Sequence, residues 1–120
     1  MNLADLGRRA VACKHWRWMP GMLLLPHVDG CECCEDRNFP RRAARLPAVF
    51  TTDIDVPDLS DPATLGCLLH LVREAWEVER AVVWWNEHDQ GWVADVRPRN
   101  FVFVRDSEAH ALVAALETAP

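Results

Sequence analysis

Residues 61–77, "DPATLGCLLHLVREAWE", constrain the fold more than any other stretch of the chain. Asp61 stands where a helix N-cap belongs and Pro62 at the first helical position, while Leu65, Leu68, Leu69, Val72 and Trp76 recur at helical spacing. Cys67 and Leu71 widen that stripe beyond the arc of an ordinary surface helix, which calls for cover on more than one side. The spacing predicts a helix at the centre of the core, so the rest of the chain has to supply layers around it.

The next residues read as one such layer. "AVVWWNEHDQGWVADV" (81–96) gives two strands about an "NEHDQG" turn, with Val82 and Trp84 on one face and Val83 and Trp85 on the other. "FVFV" (101–104) is a third strand, and "DSEAHALVAALE" closes as a helix with Ala109, Leu112, Val113 and Leu116 inward. At the other end, "NLADLGRRAVAC" has Asn2 as N-cap, Asp5 in the first turn and Leu3, Leu6, Ala10 and Cys13 at helical spacing. A Pro-Gly turn then leads into Met22 to Leu25, read as a short strand closed by Pro26.

Between these regular parts lies a long irregular loop, residues 27–57, rich in proline and holding the basic run "RRAAR" (41–45), with "AVFTT" as a candidate strand inside it. At 120 residues the chain suits one core, and residues 1–120 are read as a single α+β domain. The expected architecture is a small, mostly antiparallel sheet with about three helices packed on one face.

Charge is polarised. Residues 1–45 carry eight Lys/Arg against five Asp/Glu, and residues 46–120 carry five against thirteen, for a net charge of −5. The acidic half disfavours general binding to a phosphate backbone. The longest apolar runs, "AVVWW" and "MLLL", fall far short of a bilayer span of about 20 residues, so no membrane partner is expected. The start of the chain lacks the pattern of a secretory signal, which leads to an expected cytoplasmic location.

"HVDGCECCEDR" (27–37) gathers Cys31, Cys33 and Cys34 beside His27 and four carboxylates. A structural zinc needs four thiolate or imidazole ligands, and Cys13 with His15 or His27 could complete a set with this cluster. The spacings "CEC" and "CC" are tighter than the pairs that zinc knuckles use, so free thiols and no cofactor are the preferred reading; a zinc-stabilised module is the alternative. Cys13 next to His15 lies on the apolar stripe of the first helix and reads as core, not as a nucleophile. No Ser/His/Asp arrangement, phosphate-cradling glycine loop or "HExxH" occurs, and an enzyme is not expected.

Six tryptophans are more than one small core needs, and tryptophan concentrates energy at protein interfaces. Lys14, His15, Trp16, Arg17 and Trp18, together with Trp84, Trp85 and Trp92 of the hairpin, are therefore the candidate partner-binding residues. The competing reading assigns Lys14, Trp16, Arg17, Trp18 and "RRAAR" to a nucleic acid or nucleotide.

With the elements placed, "RRAVACKHWRWMPGM", "DLSDPATLGCLLHLVREAW" and "EAHALVAALETAP" resemble a family of small phage- and prophage-encoded proteins with no assigned function. The likeness lies at the head, middle and tail of the chain and departs from the family at residues 27–57. It implies a phage accessory protein acting inside the host bacterial cell, and it carries over no catalytic residue, cofactor or fold. Joined to the tryptophan surface, it leads to the expectation of a non-enzymatic protein that binds a host component as an inhibitor of a host defence or regulatory system.

Overall fold

The structure, a computed structural model, describes residues 2–25, 41–42, 56–97 and 102–120. Its elements run in the order α1 (Leu3–Val11), β1 (Leu23–Leu24), β2 (Arg41–Arg42), α2 (Pro62–Trp76), β3 (Val82–Asn86), β4 (Gly91–Asp95), β5 (Val102–Arg105) and α3 (Glu108–Thr118). Strands β3, β4 and β5 form one antiparallel sheet in that order, and β1 pairs with β2 in a separate two-stranded ladder. The domain is α+β, as the sequence predicts.

Asn2 and Asp61 cap their helices as expected, and Ser107 caps α3. Asn2 accepts the Asp5 N–H at 2.7 Å, and Ser107 accepts that of His110 at 3.0 Å. Asp61 does more than cap: it accepts both the Thr64 N–H at 3.0 Å and the Thr64 hydroxyl at 2.9 Å. The same hydroxyl accepts the Leu23 N–H at 2.8 Å, so a buried threonine ties β1 to the first turn of α2. Helix α2 ends on Glu77 in the left-handed conformation (φ 56°), with the Val78 N–H closing on the Arg73 carbonyl at 3.0 Å.

The hub of the core is α3 rather than α2. Helix α3 touches all three strands of the sheet and both other helices, and Ala109 together with every residue from Ala111 to Leu116 is buried. Its alanines explain the exchange: small side chains all round let neighbours close on both sides, whereas α2 buries one face and leaves Leu65, Cys67 and Leu69 on its flanks half-buried. On α2 the buried set is Thr64, Leu68, Leu71, Val72 and Trp76; Leu65 and Leu69, expected inward, are only half-buried. The Trp76 ring packs on Phe103 of β5 at 6.1 Å between centroids.

Helix α1 docks on α3 through Arg9, whose guanidinium pairs with Glu117. It also lies against residues 56 and 57, where a Cβ on Gly7 would stand 2.6 Å from the Val56 side chain. Glycine permits that approach.

The expected loop is interrupted by β2 at Arg41–Arg42 and bridged at Pro57 to Leu24. The candidate strand "AVFTT" and the rest of "RRAAR" lie outside the described residues.

Candidate functional site: the outer face of the sheet

Antiparallel register puts directly opposed residues on the same face of a sheet. Val83, Ala94 and Phe103 form one row facing α3, and the last two of them are buried in the main core. The alternate positions make the opposite, outer face. One row there is Trp84, Val93 and Val104; the next is Val82, Asp95 and Val102. Four of these six are large apolar side chains left exposed: Val82, Trp84, Val102 and Val104. Val93, at the centre, is 2% exposed, between exposed Trp84 and exposed Val104 in register.

Gly91 shapes this surface. It sits on the outer face opposite Asn86, and a Cβ there would come within 3.0 Å of both the Val104 side chain and the Arg105 carbonyl. The missing side chain leaves room for the Val104 side chain and the Arg105 carbonyl.

The charge on this face is internally compensated. Asp95, nearly buried, receives the Arg97 Nε at 2.9 Å and the Arg97 backbone N–H at 3.0 Å. Hydrogen bonding from Arg97 holds the Asp95 carboxyl below its ordinary range, against the opposing effect of burial. The pair lies between Val82 and Val102 and leaves the row of Trp84, Val93 and Val104 wholly apolar.

Trp85 and Trp92 are registered neighbours on the helix-bearing face. Their rings meet edge to face at 6.0 Å; Trp92 packs against the core, and Trp85 remains 45% exposed. Both adjacent tryptophans of the hairpin therefore reach the surface, on opposite faces. The turn beyond them is organised by Asn86, which accepts the His88 N–H and donates to Asp89, each at 2.9 Å. Glu87, His88 and Asp89 are exposed at its tip.

The "KHWRW" segment is placed differently. Trp16 and Trp18 stack edge to face at 5.4 Å and pack half-buried against the core. Arg17 is engaged by both carboxylate oxygens of Glu74, which also meets His70 at 3.1 Å, and this company holds the Glu74 carboxyl low, Arg17 foremost. The His15 ring lies 2.6 Å from the Pro120 carbonyl. Lys14 alone in the segment is an exposed cation with no ion pair among the described residues.

Cys13 donates to the Arg9 carbonyl at 3.3 Å, and burial pushes its thiol up, as it does that of Cys67. His27, Cys31, Cys33 and Cys34 lie outside the described residues, so the zinc alternative involving them and Cys13 or His15 does too. Among the described residues no group of three or more His, Cys, Asp or Glu could hold a metal, and no helix is long and apolar enough to cross a membrane.

Sequence reasoning picked out Trp84, Trp85 and Trp92 but missed Val82, Val93, Val102 and Val104. The signal was present in "VFV", where two valines flank a phenylalanine: if Phe103 faces the core, Val102 and Val104 must face away. Comparison of the chain with family models, with curated proteins and with solved structures finds no match.

Proposed function

We propose that this chain is a non-enzymatic binding protein that docks on a host-cell protein through the outer face of its sheet. The observation that supports the reading is the registered row of Trp84, Val93 and Val104, apolar from edge to edge and flanked by exposed Val82 and Val102. Contiguous apolar surface of this kind on a small protein marks interaction sites, and tryptophan at its edge is the residue type enriched where interfaces concentrate energy. Burial raises the Cys13 and Cys67 thiols, the opposite of what a thiol nucleophile at either position needs.

The resemblance to phage-encoded proteins makes a host component the expected partner and inhibition of a defence or regulatory system the expected purpose. Capture from a bacterial host lysate, with mass spectrometry and reconstitution from the purified candidate, tests this reading. One host protein should be retained by the native chain and released by Val104→Thr. Retention that ignores substitutions on this face would refute it.

A further inference from the structure

Strand β3 lies at an edge of its sheet, and among the described residues no strand pairs with its outer side. Edge strands in soluble proteins are ordinarily protected by a charge, a proline, a bulge or very short length. "VVWWN" has five residues with no charge and no proline, and its pairing with β4 is continuous from Val82 to Asn86 without a bulge. The opposite edge differs: β5 is shorter and ends on Arg105. The unguarded edge is also the one that bears both exposed tryptophans, Trp84 toward the outer face and Trp85 toward the other.

The charges at the two ends of β3 are unequal. Before the strand, Glu79 and Arg80 offset each other. After it, Glu87 and Asp89 are exposed at the hairpin tip, and neither has an ion-pair partner among the described residues. A strand laid along β3 therefore meets a neutral end and an acidic end.

We propose that β3 accepts an extended segment of the partner protein as a fourth strand, with alternating apolar side chains along its length and Lys or Arg at the end beside the hairpin tip. The proposal rests on the reading of the sheet as a docking surface and adds to it the mode of binding and the chemistry of the partner. Main-chain hydrogen bonds to the open edge supply affinity. Alternate side chains fall beside Val82 and Trp84 on one face and beside Val83 and Trp85 on the other, so apolar residues at every second position of the partner meet one of these faces. The cationic end pairs with Glu87 and Asp89. A second copy of this chain fits less well, because each copy carries −5 and its own β3 brings no net positive charge to the tip.

Fluorescence polarisation with a labelled peptide of about ten residues, alternating Val and Thr and ending in two lysines, tests the proposal. It should bind roughly tenfold or more tightly than a counterpart ending in two glutamates, and Glu87→Lys should bring the two together. N-methylation of alternate amides along one edge of the peptide should abolish binding, and methylation along the other should leave it. Equal affinity of the lysine and glutamate peptides, indifference to both methylation patterns, or no binding at millimolar peptide overturns strand addition. So does a dimer of the protein in sedimentation that the peptide breaks, since a second copy would then own the edge. The docking surface itself is judged apart from these outcomes, by whether Trp84→Thr releases the captured host protein.

Discussion

Trp84 on β3 stands directly opposite Val93 on β4, and the two differ sharply in exposure: Val93 is 2% exposed and Trp84 41%. The row therefore holds an exposed indole beside a buried valine, with exposed Val104 on the valine's other side. The stability of this row and its surface can be separated by substitution. Val93→Ala should cost about 1–3 kcal/mol through lost burial, whereas Val104→Thr should change stability by no more than about 0.5 kcal/mol. Urea unfolding of the two variants measures both; equal costs would mean that Val104 is core.

Trp76 fixes α2 to the hub helix through its ring nitrogen, which donates to the Ala115 carbonyl at 2.8 Å in a buried setting. Carbonyls in the last turn of a helix lack intrahelical partners, so this bond satisfies one that would otherwise be stranded. Trp76→Phe keeps an aromatic ring beside Phe103 but removes the donor. A loss of about 1–3 kcal/mol is expected from the unpaired carbonyl, read from the shift in the chemical unfolding midpoint.

The hub assignment yields a contrast between two leucines. Leu112→Ala on α3, at a fully buried position, should cost about 2–5 kcal/mol. Leu69→Ala on α2, at a half-buried one, should cost clearly less. Equal losses in thermal or chemical unfolding would return α2 to the centre of the core.

Acid should weaken the fold in a direction set by Asp95. Its folded-state pKa is depressed, chiefly by hydrogen bonding from Arg97, so its contribution is complete above the ordinary carboxylate range and disappears as pH falls through the folded value. Glu74 beside Arg17 and Asp106 beside His110 are depressed too and act with the same sign. Stability measured from neutral pH downward should hold until about pH 4 and then decline, and Asp95→Asn should decline less over that acidic range. A parallel decline in native and variant proteins would remove Asp95 from the account.

Much of the architecture was legible because periodicity and caps agreed. Asp61 with Pro62, Asn2, and the alternation about "NEHDQG" each named an element that the structure contains. The central helix was misjudged because a wide apolar arc on α2 outweighed the quieter signal of α3, whose alanines carry little hydrophobicity per residue and matter through the close packing they permit. The site was half legible for a related reason. Tryptophan is conspicuous in any composition, but the meaning of Val93 and Val104 depends on cross-strand register, which joins residues distant in sequence and is set by which face α3 covers. The "KHWRW" segment shows the converse: its cationic and aromatic look gives no hint that Arg17 is held by Glu74, 57 residues away.

The central claim, that the outer face of the sheet is the docking surface, is tested most directly by the affinity of the reconstituted host partner for Trp84→Thr, measured beside the thermal midpoint. Threonine keeps the strand preference of the position. The account predicts a midpoint close to that of the native protein and a weakening of about thirtyfold or more, the scale of a tryptophan hot spot. Unchanged affinity with an unchanged midpoint would contradict it.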